Sequence, residues 1–448
     1  MFSKATFCTL PWSTILITPS GDFKVCAFTG NERTTKDSAT DHGIGLDDNG
    51  VVMNIMTHSI KDAMNSHLHK SIRLAQSKNE KHLSCRVCWD KEESHVRFMK
   101  SGANYDGVQP RNLSHRIGQS FAKLNEYEGV INIEDAPNVI DKDGSIDNLP
   151  IHLDIRFSNL CNSKCIQCNP QYSNMWYSDH IALSGSNQFM MGPAKYTIRA
   201  EGNKLVSDMP KWHDTPQWWD QFDLIKSRLR KLYITGGEPF LQPSHEEMLD
   251  RLIAGDHAKD INISYDTNLM AINDRVMNKL SNFKSVKFGI SIDDTEKRYE
   301  LIRFPSSWNK LQANMEKIKA YSNLSILLSS CIGIFDIYAP FRMSKHFESL
   351  GYKNFTYHLV HWPRLYDIKY LPSDVKKKII DRYNESDLAT VHKSVVVGYL
   401  KNNMNVPEEQ CKKVINLFID RMDKLDKLRG TDWKETMPDV VELLKDYL

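Results

Sequence analysis

Three cysteines within eight residues, Cys161-Asn-Ser-Lys-Cys165-Ile-Gln-Cys168, constrain this chain more than any other stretch. They follow the alternating run Ile151-His-Leu-Asp-Ile-Arg-Phe157, which reads as a strand with one face buried. Thiolates at the mouth of a strand can hold three irons of a 4Fe-4S cluster. The fourth iron then lacks a protein ligand and is open to a small molecule that takes an electron. A zinc site wants four ligands, usually as two close pairs, and the next such residue after the trio is His180. Zinc and plain buried thiols stay open as alternatives.

The rest of the composition narrows the class. The chain has 448 residues, enough for a large core and two or three domains. Apolar residues make up 41% and charged residues 25%, as in globular proteins. Lys and Arg number 58 against 56 Asp and Glu, so charge gives no case for nucleic acid or an anionic membrane. No apolar run is long enough to span a bilayer, and the start Met-Phe-Ser-Lys-Ala-Thr-Phe-Cys lacks a signal-peptide pattern. A cytoplasmic location is expected. Nine cysteines there argue for metal or redox use before disulfides. Seven fall in two groups, and Cys331 and Cys411 stand alone as packing residues.

The second group opens the chain. Phe7-Cys8-Thr-Leu-Pro11-Trp12 leads into the β run Thr14–Ile17, the turn Pro19-Ser-Gly-Asp22 and Phe23-Lys-Val-Cys26. This reads as a hairpin that brings Cys8 and Cys26 toward one end. A polar loop over 30–50 and a helical stretch over 59–77 precede Cys85-Arg-Val-Cys88. Four thiols so arranged can close a metal site, and spacing alone does not separate iron-sulfur from zinc. Residues 1–110 are therefore expected to form a small Cys-rich α+β domain. Residues 111–149 are rich in Gly and Pro and read as a linker with one short helix over 115–126.

From 150 to 365 strand and helix patterns alternate. Six strands are expected over 151–157, 231–235, 260–266, 286–292, 325–334 and 354–360, with helices clearest over 244–253, 274–280, 308–321 and 339–350. Repeated β-α units imply a parallel sheet with its site at the carboxyl ends of the strands. Polar groups collect there. Strand two ends in Gly236-Gly237-Glu238-Pro239, whose glycines permit close approach of the backbone to a ligand. Asn268 follows strand three; Ser291 and Asp293 lie at the end of strand four, with Arg303 beyond. Asn and Asp there also cap helices, and Arg303 also suits a solvated helix end. Strand six ends at Tyr357, His358, His361 and Trp362, read as core packing or a substrate wall. The segment between the trio and strand two is long and aromatic, with a β-hairpin expected over 196–206. It is either a lid beside the open iron or a decorated surface loop. Residues 366–448 read as a helical extension.

The trio after a first strand resembles the radical S-adenosylmethionine (radical SAM) superfamily, and Gly236–Pro239 resembles that family's Gly-Gly-Glu-Pro motif. The resemblance implies an α/β fold, a partial (β/α)6 TIM-type barrel. It implies a 4Fe-4S cluster on Cys161, Cys165 and Cys168, with SAM chelated to the open iron. It also implies an enzyme that cleaves SAM reductively to a 5'-deoxyadenosyl radical and abstracts hydrogen from a substrate. Gly236, Gly237, Glu238 and Pro239 would hold the SAM amino group; Asn268, Ser291, Asp293 and Arg303 would face its ribose and carboxylate. Gln167 stands where the family usually has an aromatic residue. Residues 1–110 are similar to SPASM or Twitch auxiliary-cluster domains, which implies a second 4Fe-4S cluster on Cys8, Cys26, Cys85 and Cys88. By the same analogy the substrate is a peptide or protein and the electron donor a flavodoxin or ferredoxin. An iron-sulfur electron-transfer or sensing protein with a degenerate SAM site is the alternative. No acid, base or radical relay is readable.

Overall fold

The structure is a computed structural model and describes residues 2–30, 42–90, 92 and 127–448. The helix expected over 115–126 and part of the loop over 30–50 lie outside the described residues. The chain divides into two compact units, each built from several stretches. One comprises Met1–Leu160, Gln188–Tyr265 and Asn273–Lys287; the other comprises Cys161–Asn187, Asp266–Ile272 and Phe288–Leu448.

The first unit holds strands β1 (Thr14–Ile17), β2 (Phe23–Lys24), β3 (His152–Ile155), β4 (Gln188–Met191), β5 (Ala194–Glu201), β6 (Lys204–Ser207) and β7 (Lys231–Ile234). It also holds most of β8 (Asn262–Thr267) and the start of β9 (Ser285–Ser291). Its main sheet runs in the order β2-β1-β3-β7-β8-β9. β1 and β2 form the expected antiparallel hairpin, with Ile17 opposite Phe23. The hairpin does not stand apart in a sheet of its own. β1 pairs in parallel with β3, Thr14 opposite His152 and Ile17 opposite Ile155, and β3 pairs in parallel with β7, Leu153 opposite Leu232. That central place overturns the one-faced reading of the first strand. All four residues of β3 are buried, His152 and Asp154 included, because strands of a parallel sheet are covered on both faces.

The insertion before β7 forms a separate antiparallel sheet, β4-β5-β6. The hairpin expected over 196–206 is β5 and β6, with Glu201 opposite Lys204. β4 is an addition, and it alternates exposed and buried residues. The glycines around it, Gly185 and Gly192, make left-handed turns with φ of 67° and 56°.

The second unit contains the end of β9, then β10 (Leu324–Ile332) and β11 (Phe355–Leu359), in that order. β10 and β11 are parallel, with Cys331 opposite His358. Helices cover Trp308–Ile318 and Ala339–Ser349. From β3 onward the six expected strands therefore appear, each beside its predecessor, with helices between them. The C-terminal region is helical as expected: Ser373–Asn384, Thr390–Asn402 and Glu408–Arg429. The last of these buries Cys411, Val414, Ile415, Phe418, Met422 and Leu425 along one stripe and stops at Gly430, φ 67°. Among the described residues no helix is long and apolar enough to cross a membrane.

Candidate functional site

The cysteine trio lies in an irregular loop at the start of the second unit's chain. The loop is held by its backbone as much as by its side chains. Lys164 N–H donates to the Phe304 carbonyl at 2.7 Å and Ile166 N–H to the Ile302 carbonyl at 2.8 Å. Cys161 N–H donates to Asn174 Oδ1 at 2.9 Å, and Trp176 Nε1 donates to the Cys165 carbonyl at 2.9 Å. All three cysteines are half-buried, and none of them is in a disulfide. A loop whose amides are satisfied this way keeps its thiols available to a ligand.

Four of the residues expected to face SAM lie in the same unit. Asn268 Nδ2 donates to Asn162 Oδ1 at 2.7 Å and to Ser163 Oγ at 3.2 Å, so it braces the cysteine loop directly. Asp293 is fully buried. It accepts from Gln167 Nε2 at 2.6 Å and from the Cys331 N–H at 2.8 Å, and it pairs with Arg303 Nη2 at 2.9 Å. Arg303 in turn reaches Cys165 Sγ with Nη1 at 3.7 Å. Gln167, Asp293, Arg303 and Cys165 are thus one connected group. Ser291 ends β9 and is half-buried.

Charge and burial oppose one another here. Burial pushes the Cys165 thiol up, against the pull of Arg303. Burial also pushes Cys168 up, helped by its neighbours Cys165 and Cys161. Burial alone would lower Arg303, but Asp293 and Cys165 outweigh it and hold the guanidinium charged. Cys331, read from sequence as packing, is pushed up by burial and by Asp293. Such a site favours neutral thiols until a cation takes them as thiolates.

Three residues had no signal in the sequence reading. Asp179 is buried between Lys164 Nζ, at 2.6 Å, and Arg429 Nε, at 2.9 Å. Arg429 comes from the last turn of the Glu408–Arg429 helix. Its guanidinium stacks over Trp176 at 5.0 Å and Phe304 at 5.6 Å. A basic residue before a capping glycine reads locally as a helix end, and nothing nearby in sequence points back to the trio.

The Gly-Gly-Glu-Pro stretch belongs to the first unit. Gly236 and Gly237 have φ of 81° and 57°. A Cβ on Gly237 would meet the Leu160 carbonyl oxygen at 2.3 Å, so only glycine fits without movement. Glu238 N–H donates to that same carbonyl at 2.8 Å. The buried Glu238 side chain accepts from Phe240 N–H at 3.4 Å and caps the short turn Pro239–Leu241.

The second group of thiols also lies within the first unit. Cys8, Cys26, Cys85 and Cys88 all line one cavity, together with Leu10, Val25, Phe28, Ile72 and Trp89. Cys26 is pushed up to about 11 by burial and by Cys88. Among the described residues no three His, Cys, Asp or Glu side chains are grouped to hold a single metal ion.

Residues 155–334 match the Radical SAM superfamily, so the chain carries a radical SAM domain. The match spans less than half of the chain. The chain is also similar to the solved structure of anSMEcpe with bound AdoMet, at 16% identity and a TM-score of 0.34, covering 53% of this chain and 61% of that one. It is similar to Streptococcus suis SuiB bound to the precursor peptide SuiA, at 12% identity and a TM-score of 0.35, covering 75% and 65%. SuiB bound to S-adenosylmethionine matches at 13% identity and a TM-score of 0.36, covering 75% and 66%. The likeness spans about three fifths of the length of anSMEcpe. No curated protein matches.

Proposed function

We propose that this protein is a radical SAM enzyme in which Cys161, Cys165 and Cys168 hold a 4Fe-4S cluster with an open iron. The observation that carries the reading is the trio of thiols, none in a disulfide, within a matched radical SAM domain and on a loop fixed through its own backbone. The orphaned polar atoms beside it fit a bound group: Gln167 Oε1 and Arg303 Nε are buried without partners. When bound, the cluster and SAM supply one-electron cleavage of the sulfonium and a 5'-deoxyadenosyl radical. The chain's own part is to bind and to orient. Asn268 braces the loop, and Asp293 fixes Arg303 against Cys165. We assign Gly236–Pro239 to the ammonium group of SAM, and Ser291 ends β9.

The same reading places an auxiliary 4Fe-4S cluster on Cys8, Cys26, Cys85 and Cys88. A cluster spreads its thiolates over separate irons, and all four thiols line the same cavity. We take residues 1–110 as the auxiliary unit, 111–149 as a linker, 150–365 as the radical SAM core and 366–448 as the extension. A peptide or protein substrate is supported by the resemblance to auxiliary-cluster enzymes, and a flavodoxin or ferredoxin is the donor that such a cluster calls for.

Anaerobic reconstitution followed by dithionite and SAM tests the reading. 5'-Deoxyadenosine is expected from the native protein and none from Cys165→Ala. Bound iron should fall by half, not to zero, in Cys85→Ala. A native protein with both clusters and no 5'-deoxyadenosine would instead be an electron-transfer or sensing protein.

A further inference from the structure

Arg429 is the feature that the proposed function leaves unused. Its side chain is 1% exposed. Only Nε has a partner, Asp179 at 2.9 Å; Nη1 and Nη2 are buried and unpartnered. A guanidinium keeps its charge in any protein environment, so two of its donor groups are left without an acceptor at a cost of kcal/mol each. The surroundings do not explain the cost. Trp176 and Phe304 flank the guanidinium and offer ring faces, not acceptor atoms in its plane. Asp179, its ion-pair partner among the described residues, is shared with Lys164.

The position is specific. Trp176, on which Arg429 stacks, donates its indole N–H to the Cys165 carbonyl. Phe304, on the other side, accepts the Lys164 N–H through its own carbonyl. Lys164 lies within the cysteine loop and meets Arg429 again through Asp179. Arg429 is also close enough to act electrostatically on Cys165. Trp176, Phe304 and, through Lys164, Asp179 thus each support the loop between Cys161 and Cys168, while Tyr366 is a further group within electrostatic reach of the guanidinium.

We propose that Arg429 is a positioning residue for an anion bound at the cysteine loop, its free fork donating to that anion. The inference rests on the reading of the loop as a cluster and SAM site. Two anions there share the required chemistry: the sulfur-rich cluster, whose negative charge grows on reduction, and the carboxylate of SAM. A buried cation beside a cluster favours its reduced form and raises its potential. A guanidinium fork on a carboxylate adds bidentate affinity. In either case the C-terminal extension completes a site whose ligands come from residues 161–168.

The test uses the full-length, anaerobically reconstituted protein with Arg429→Gln and Arg429→Lys. Iron content and the cluster's visible absorbance establish loading. The midpoint potential of the SAM-free cluster is read by titration, and SAM affinity is read by equilibrium binding. If the cluster is the anion, the potential falls in Arg429→Gln and is partly restored in Arg429→Lys. If the SAM carboxylate is the anion, the potential holds and affinity falls about tenfold in both variants, because Lys cannot present the fork. Should Arg429→Gln not fold, Arg429→Lys decides alone: it keeps the charge and loses the fork, so it must differ from the native protein in one readout. Loaded variants that match the native protein in both potential and affinity overturn the proposal. A native protein that takes up no iron overturns the underlying reading instead.

Discussion

Gln167 sits between two of the three thiols and spends its amide N–H on Asp293, 126 positions later in sequence. Its carboxylate analogue is a sharp probe. Gln167→Glu keeps the shape, removes the donor and sets a second carboxylate against Asp293. The pair then retains a proton in the folded state, and its folded pKa rises. Stability from a raised acid is present at low pH and lost as pH rises. The variant is expected to lose about 2–3 kcal/mol at pH 7 and less at pH 5, read by urea melts. Equal losses at the two pH values would sink this account. The trio, Gly236–Pro239, Asp293 and Arg303 could be singled out in sequence as candidates, because residue type and position near strand ends mark them. The Gln167–Asp293 bond could not, since it is a long-range contact between two residues of ordinary polarity. Arg429 was hidden for the same reason.

Elements were most legible where period and length agreed. β7 to β11 and the helix Asp274–Leu280 lie where alternating patterns put them. The stretch over 59–77 read as one helix and is two, Ile60–Met64 and His67–Ser77. Ser59 and Ser66 each cap a start, and Asn65 between them bonds both ways to Ile146. Local periodicity does not report such a break. The second helix carries Arg73, fully buried, which donates to the Pro11 carbonyl at 2.9 Å, the Gly144 carbonyl at 2.8 Å and the Met64 carbonyl. Arg73→Leu leaves those carbonyls buried without their donor. It should cost about 3–5 kcal/mol in urea unfolding. A loss under about 1 kcal/mol would show that the helix is held by packing alone.

The molecule as a whole carries a built-in acid sensitivity. His69, His213, His245 and His392 all have pKa values below the ordinary imidazole value, in each case chiefly through burial. His245 is the extreme, lowered to about 3, with Nε2 at 2.8 Å from Tyr265 Oη. A histidine lowered by folding contributes stability above its unfolded pKa of about 6.5 and loses it as pH falls toward the folded value. Each such group weakens the fold by up to about 1.4 kcal/mol per pH unit across that window. The melting temperature should therefore fall steadily below pH 6.5. His245→Phe, placed among Phe157, Phe240 and Tyr265, should flatten that slope after a small initial loss from the missing bond. An unchanged slope would assign the acid response to other groups.

The path of the chain sets an order of assembly. The thiols at 161–168 leave the ribosome before the helix that ends in Arg429. Until that helix has been made, Asp179 has Lys164 but not its second cation. Iron delivered to the nascent chain would meet the loop without its arginine; iron delivered after release would meet the finished site. The extension is in that sense a timing element, because the ligands cannot have their full surroundings before the segment that carries Arg429 is read.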